Sequence, residues 1–188
     1  MIHDLGSGLV ASRKFLEKEN IEIFDDEPTV QESLRQGADL VMFSGDKLFG
    51  SLQSGIIAGD KKIIQALNFI KPPFNVNEIA QLCAIEALKD NKFISKSIKH
   101  NLYWSKKIKK SLEGFNIYSN KISANFLLLN FNRCRLSAIS VEKKLESKGI
   151  ILREMNTYGI DNHLRLTIGN SAENKLFLKE ITQILKNV

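Results

Sequence analysis

The chain has 188 residues, of which 43% are hydrophobic and 26% charged, values typical of a globular protein that can bury a core. No run approaches the about 20 consecutive apolar residues of a transmembrane helix, and the N-terminus lacks a signal-peptide pattern, so we expect no membrane association. The net charge of +6 lies mainly in residues 92–114, where a solvated helix face explains the lysine spacing more simply than an RNA-binding patch does. Two cysteines, Cys83 and Cys134, are too few for a disulfide framework and predict reduced thiols in a cytoplasmic protein.

The first 60 residues have the pattern of part of a parallel α/β sheet. The chain begins as though at the end of a strand, with Asp4 at its tip and a glycine-rich turn after it. A short helix is predicted over 26–38. Two short apolar strands, 39–44 and 54–59, follow it, and the loop between them contains Lys47. We therefore expect Lys47 where two strands meet solvent or a cofactor.

Amphipathic helices fill the middle of the chain, and a small α/β subdomain follows them. Apolar residues recur at i, i+3 and i+4 in three stretches, 61–71, 76–90 and 93–115. Strands are then predicted over 124–131, 150–155 and 163–169, and helices over 137–149 and 170–185. Asn170 and Glu173 stand in capping-box register at the start of the last helix. These patterns divide the chain into a partial large domain, linking helices and a small C-terminal subdomain, at 1–60, 61–114 and 115–188.

A lysine in such a loop suits covalent chemistry with an aldehyde cofactor. A deprotonated, fixed lysine amine forms an imine, and pyridoxal 5′-phosphate (PLP) also needs an anion at its ring nitrogen and donors for its phosphate. Asp4 is the candidate anion, and Ser44 is the candidate phosphate donor beside backbone amides of small residues. A lone lysine in a glycine-containing turn is more often an exposed surface residue, so composition alone does not establish catalysis.

Other kinds of site find less support in the sequence. The loop is not a P-loop, because the order G-x-x-x-x-G-K-[ST] is absent. His3, His100 and His163 are far apart and isolated, so no metal site is predicted.

The motifs of the first 60 residues resemble a known family. "HDLGSG", "EPTVQESLRQGADLVMFSGDKLFG" and "QSGIIAG" are similar to bacterial selenocysteine synthase, the PLP-dependent L-seryl-tRNA(Sec) selenium transferase. The resemblance implies that Asp4 faces the pyridine nitrogen and that Lys47 forms the Schiff base. It departs at Ser51 and Leu52, where that family usually has glycine and proline.

Residues 62–188 resemble a second family, histidinol-phosphate aminotransferase. The motifs are "IIQALNFIKPPFNVNEIAQLCAIEALKD", "SANFLLLNF", "SKGIILREM" and "YGIDNHLRLTIGNSAENKLFLKEI". This resemblance implies that Arg165 holds the substrate α-carboxylate, for which a planar, permanently charged guanidinium is well suited. Asn125 and Arg153 fall within matching motifs and are weaker site candidates. The phosphate-binding arginine of that family is replaced here by Gly55.

Both families have the fold type I architecture of the aspartate aminotransferase superfamily. The resemblance implies an α/β fold equivalent to the C-terminal half of a PLP-dependent transferase, and a homo-oligomer. Both families carry roughly 200 further residues before the aspartate, so we expect a truncated or chimeric member with a join near residues 55–65.

Three functions stay open at this point. The first is a PLP-dependent aminotransferase acting on histidinol phosphate or a related amino acid. The second is selenocysteine synthesis on seryl-tRNA(Sec), where the carboxylate is esterified and Arg165 has nothing to grip. The third is a catalytically silent fragment.

Overall fold

The computed structural model describes residues 1–6, 13–21, 28–122 and 124–187. The chain forms two compact units, Met1–Lys99 and His100–Val188. The fold is mixed α/β, as the sequence predicted. The finer division at residues 60 and 114 stays a prediction.

The first unit contains a three-stranded sheet in the order β1-β2-β3. Its elements are β1 (Ile2–Gly6), α1 (Arg13–Lys18), α2 (Val30–Arg35), β2 (Leu40–Ser44), β3 (Gly55–Gly59), α3 (Lys61–Ile70), α4 (Glu78–Lys89) and the start of α5 (Asn91–Glu113). β1 pairs with β2 in parallel, whereas β2 and β3 form an antiparallel hairpin. The sheet is therefore mixed, and only its β1–β2 part has the parallel pairing that we expected.

Local sequence signals fix the helix ends of this unit. Thr29 caps α2 and forms a capping box with Glu32. The side chain of Asp60 accepts from the first backbone amides of α3, and the side chain of Asn77 does so at α4. The predicted helices of residues 61–90 are confirmed, while the short α1 was not foreseen.

The second unit packs two helices and the rest of α5 with a four-stranded sheet in the order β4-β5-β7-β6. Its elements are β4 (Tyr118–Ser119), β5 (Phe126–Asn130), α6 (Ala138–Glu146), β6 (Arg153–Glu154), β7 (His163–Thr167) and α7 (Ser171–Lys186). Alternate residues of β5 and β7 enter the core with apolar residues of the helices: Leu127, Leu129, Leu164, Leu166, Val141, Leu145, Phe177 and Ile181. The strand predicted over 150–155 is much shorter, because only Arg153 and Glu154 pair with β7.

Among the helices of the described residues, none combines the length and apolar character needed to cross a bilayer.

Candidate functional site

Lys47 lies in the ten-residue loop, 45–54, that joins β2 to β3 and is called the lysine turn below. The amide of Gly45 donates to the Ser54 carbonyl at 2.9 Å, and the amide of Ser51 donates to the Gly45 carbonyl at 3.0 Å. Gly50 has a φ of +66°, and an added Cβ would lie 2.8 Å from the ring of Phe93, so a larger residue there would strain the backbone and crowd that ring. The backbone around Lys47 is thus closely fixed.

The side chain of Asp46 links the two candidate residues on either side of it. Its carboxylate accepts a hydrogen bond from Lys47 Nζ at 2.7 Å and another from the Ser44 hydroxyl. The bond from Lys47, followed by the bond from Ser44, lowers the pKa of Asp46. The lysine side chain is still 42% exposed, so its amine is held but accessible. Our sequence reasoning missed Asp46, although an acidic residue next to the lysine was the available signal.

Asp4 lies in the middle of β1 and not at the end of the strand, which continues to Gly6. It is the parallel partner of Met42 on β2, and the register shifts between Asp4 and Gly6. Because β1 and β2 are parallel, their C-terminal ends lie at the same edge of the sheet, and the chain continues from the end of β2 to Lys47. The glycine-rich turn that we expected after Asp4 lies outside the described residues.

Ser51 gives the same turn an unused hydrogen-bond donor. Its hydroxyl is buried and has no hydrogen-bond partner among the described residues. A buried polar group without a partner is costly, and such groups often mark a ligand position. Ser44, by contrast, already donates to Asp46 and would have to leave it in order to bind a phosphate.

Arg165 and Arg153 face each other across the β6–β7 pair of the second unit. Arg165 stands between the core residues Leu164 and Leu166 on β7, so its side chain projects from the opposite face of the sheet. On that face its guanidinium carbon lies 5.2 Å from the centre of the Phe126 ring. Its Nε is buried and has no hydrogen-bond partner in the part of the chain that the structure describes. Two cross-strand arginines repel each other unless an anion lies near, so this pair is suited to binding one.

A cavity of about 510 Å³ adjoins the two arginines. Its other walls include Thr167 of β7, Gly169 and residues of α7. The buried Asn174 fixes this region through two bonds to Gly169, since it accepts from the amide at 3.0 Å and donates to the carbonyl at 2.8 Å. The arginine pair therefore lies beside a fixed loop.

Asn125 shows a backbone contact in the same unit. Its carbonyl accepts a hydrogen bond from the amide of Ile168 at 2.8 Å, which extends the β5–β7 ladder. A role for its side chain stays a prediction.

In the described part of the chain, no group of three or more His, Cys, Asp or Glu side chains is arranged to hold a metal ion.

Comparison with known proteins decides the family. The family model for L-seryl-tRNA selenium transferase matches residues 1–151. The chain belongs to this family. It thereby belongs to the PLP-dependent transferases of fold type I, as the motifs predicted. The matched residues include Asp4 and Lys47 but end before Arg153 and Arg165.

Sequence relatives of the chain include histidinol-phosphate aminotransferases. Histidinol-phosphate aminotransferase from Pelagibacter ubique is 46% identical over 94% of this chain and 53% of its own length. The enzyme of that name from Campylobacter hominis is 35% identical over 85% of this chain and 43% of its own length. The chain thus spans about half the length of the curated relatives it matches.

Solved structures agree on the fold. Histidinol-phosphate aminotransferase from Clostridium acetobutylicum matches with a TM-score of 0.73 and 21% identity, covering all of this chain and 64% of that one. The enzyme from Sinorhizobium meliloti, solved in complex with PLP, matches with a TM-score of 0.74 and 16% identity over 99% of this chain and 48% of that one.

Both kinds of sequence match cross residues 55–65, where we expected a join. The family model runs from residue 1 to 151, and an alignment over 94% of the chain does not fit within 62–188. The two resemblances therefore overlap along the chain instead of meeting at a boundary.

The groups of the first unit fit PLP. The accessible amine of Lys47 is the group that the aldehyde needs, and Asp4 supplies a carboxylate on the neighbouring strand. The unpartnered Ser51 hydroxyl, buried in the lysine turn, is a donor of the kind that a phosphate accepts.

Proposed function

We propose that this chain is part of a PLP-dependent aminotransferase that acts on histidinol phosphate or a related amino acid. The observation that carries the proposal is the cross-strand pair Arg153 and Arg165, in which the buried Nε of Arg165 has no hydrogen-bond partner among the described residues. Such a pair suits the free carboxylate of an amino acid. The 46% identity to the Pelagibacter ubique enzyme supports the same substrate class.

Each group has one part in this proposal. When bound, PLP supplies an electron sink for the bonds of the substrate α-carbon. Lys47 holds the cofactor and moves the α-proton, while Asp46 positions the lysine amine before the cofactor arrives. Asp4 keeps a proton on the ring nitrogen, and a serine of the lysine turn, Ser51 or Ser44, donates to the phosphate.

The remaining parts of the proposal concern the substrate and the setting. Arg165 binds the α-carboxylate with its planar fork, and Arg153 and Asn125 have supporting roles. We further propose a homo-oligomer in the cytoplasm, where the two free cysteines would stay reduced.

The first experiment tests cofactor attachment and does not require turnover. Purified protein mixed with PLP should develop an absorbance band near ~420 nm, and borohydride should fix the cofactor on Lys47. Mass spectrometry of the digested protein identifies the modified lysine. The matched control is Lys62→Ala, at an exposed lysine of the same unit, which should change nothing. A Lys47→Ala protein that keeps the band and the adduct would refute the role of Lys47.

The second experiment tests the reaction. Transfer of the amino group from histidinol phosphate to 2-oxoglutarate should be measurable, and Arg165→Lys should raise KM for the amino acid by about 10-fold to 100-fold. This range reflects the loss of the bidentate contact with retention of the charge. A chain that binds PLP on Lys47 but transfers no amino group would contradict the proposed activity and leave the silent fragment.

A second candidate function has its own support. The family model names L-seryl-tRNA selenium transferase, and its match contains the lysine turn. Binding of seryl-tRNA(Sec) that weakens steeply with salt would favour this function. Arg165→Lys should leave that binding unchanged, because the carboxylate of seryl-tRNA is esterified.

A further inference from the structure

Helix α5 carries positive charge along most of its length. Between residues 91 and 112 it contains seven lysines and no aspartate or glutamate. Six of these lysines and one tyrosine lie within about 100° of the helix circumference: Lys92, Lys96, Lys99, Tyr103, Lys106, Lys107 and Lys110. We call these seven residues the α5 basic row. The row extends over about 27 Å of a single helix, because each residue adds 1.5 Å.

The α5 basic row is exposed, whereas the apolar residues of the same helix are buried. All seven residues of the row are exposed. The buried residues on the other side of the helix include Ile94, Ile98, Trp104, Ile108 and Leu112. The basic side of α5 is therefore open to a partner.

Little of this charge is neutralised by the protein itself. Lys99 Nζ lies 3.3 Å from a carboxylate oxygen of Glu19. Three other lysines of the row have no ion-pair partner among the described residues: Lys92, Lys96 and Lys110. Like charges three or four residues apart destabilise a helix, and a face that serves only solubility mixes both signs. The unmixed row therefore suits an anionic partner better than the solvated face that the lysine spacing alone favoured.

Tyr103 adds an exposed aromatic ring to the middle of the row. The ring makes an edge contact with Trp104, with 5.3 Å between the ring centroids, and Lys107 Nζ lies 5.7 Å from the Tyr103 centroid. The tyrosine is still 58% exposed. Proteins bind single-stranded nucleic acid with lysines that contact phosphates and aromatic rings on which bases stack. The row combines these two kinds of group.

A lipid surface matches the same helix less well. Helices that lie in a membrane interface insert an apolar face beside their basic one. The apolar face of α5 is buried in the protein, and the row contains no aliphatic residue. A partner that offers phosphates and flat rings fits the row better than one that offers acyl chains.

We propose that the α5 basic row binds a single strand of nucleic acid through its phosphates, with one base stacked on Tyr103. The binding does not depend on base sequence, because the lysines contact phosphates, which every nucleotide carries. This inference goes beyond the proposed function and does not rest on it. It requires neither the cofactor nor the lysine turn, and neither a seryl group nor the fold of a tRNA.

The test measures the binding of the 188-residue chain to a fluorescein-labelled oligouridylate of about 20 nucleotides by fluorescence anisotropy. The dissociation constant should be micromolar or lower at about 50 mM salt. The logarithm of the binding constant should fall with the logarithm of the salt concentration, with a slope of about −3 to −4. This slope corresponds to about five phosphates, one for each lysine of the row that Glu19 does not engage.

Two sets of variants separate charge from stacking. Lys96→Gln/Lys110→Gln should weaken binding by about 10-fold to 100-fold at low salt and reduce the slope by about 1.4, because two phosphate contacts are lost. Tyr103→Ala should weaken binding by about 5-fold to 100-fold without changing the slope, whereas Tyr103→Phe should keep the affinity. The matched control is Lys175→Gln/Lys179→Gln on α7. It removes the same charge from exposed positions outside the row and should change the affinity by less than about 2-fold.

Each outcome decides the proposal. Weaker binding in Lys96→Gln/Lys110→Gln and in Tyr103→Ala, with an unchanged control and with circular dichroism showing each variant folded, supports it. Equal weakening in the row and control variants overturns it, because overall charge then explains the binding. A protein that does not bind the oligouridylate overturns it, even if seryl-tRNA(Sec) binds, and that result would favour the second candidate function instead. Tighter binding to phosphatidylserine vesicles than to the oligouridylate, lost in the same variants, overturns it in favour of a lipid surface.

Discussion

Replacing Asn174 by alanine should selectively destabilise the second unit. The Asn174 side chain is 2% exposed and makes two hydrogen bonds to Gly169. After Asn174→Ala the Gly169 carbonyl keeps its hydrogen bond with His100 Nε2, which lies 2.8 Å away. The Gly169 amide, however, loses its side-chain acceptor.

The size of the effect follows from these contacts. One unsatisfied amide costs about 1–3 kcal/mol, and the second lost hydrogen bond adds roughly 1 kcal/mol. Since the carbonyl keeps its contact with His100, no further penalty is added, and we expect a loss of about 2–4 kcal/mol in the free energy of unfolding. With a typical urea dependence, the unfolding midpoint should fall by ~1 M.

The protein contains a suitable probe for this measurement. Trp104 is the single tryptophan of the chain, is buried in the same unit, and donates from Nε1 to the Ser171 hydroxyl at 3.2 Å. Its fluorescence during urea unfolding therefore reports on the affected loop. The control is Lys175→Ala, at the exposed neighbouring position of α7. If Asn174→Ala and Lys175→Ala unfold at the same urea concentration, the two bonds do not hold the loop.

Three further predictions concern charge and backbone space. The hydrogen bond from the Thr29 backbone amide, and then the one from the Arg13 guanidinium, lower the pKa of Glu32. The ionised Glu32 therefore stabilises the folded protein at pH values above its ordinary pKa of 4.5, and this stabilisation is lost as the pH falls. Glu32→Gln should thus destabilise the protein at pH 7, as measured by circular dichroism, and the difference from the unmodified protein should shrink as the pH falls below 4.5; a constant difference would contradict this. Burial, and then two nearby carboxylates, raise the pKa of Glu142. The ionised Glu142 therefore destabilises the folded protein at pH values above its ordinary pKa. Glu142→Gln should raise the free energy of unfolding at pH 7 by ~0.2–0.5 kcal/mol, but should not change it near pH 3. An added Cβ at Gly59 would lie 2.3 Å from the Asp39 carbonyl oxygen, whereas one at Gly55 meets nothing within 4 Å. Gly59→Ala should cost about 1–3 kcal/mol in urea unfolding and Gly55→Ala little; equal effects would refute the steric argument.

Much of the secondary structure could be read from local sequence signals. The capping boxes at Thr29 and Asn170 and the helical spacing of residues 61–113 depend on neighbours within one or two turns. The strands of residues 39–44, 54–59 and 163–169 were predictable for the same reason. The strand predicted at 150–155 was too long, because an apolar run does not show how many of its residues find a pairing partner.

The candidate residues could also be named from motifs, but their partners could not. Lys47, Asp4 and Arg165 were identified by the families that their surroundings resemble. The partnership of Asp46 with Lys47 and Ser44 required the conformation of the turn, and the strand position of Asp4 required its pairing with Met42.

The sequence by itself determined the superfamily, most helices and most strands, since these depend on residue type and spacing along the chain. Only the tertiary structure decided which groups lack partners. It set Arg153 opposite Arg165 and turned the large residues of α4 outward. It also left the Ser51 hydroxyl buried with no hydrogen-bond partner among the described residues. Whether a polar group is satisfied or an apolar group covered depends on atoms far away in sequence, and sequence spacing does not show where those atoms lie.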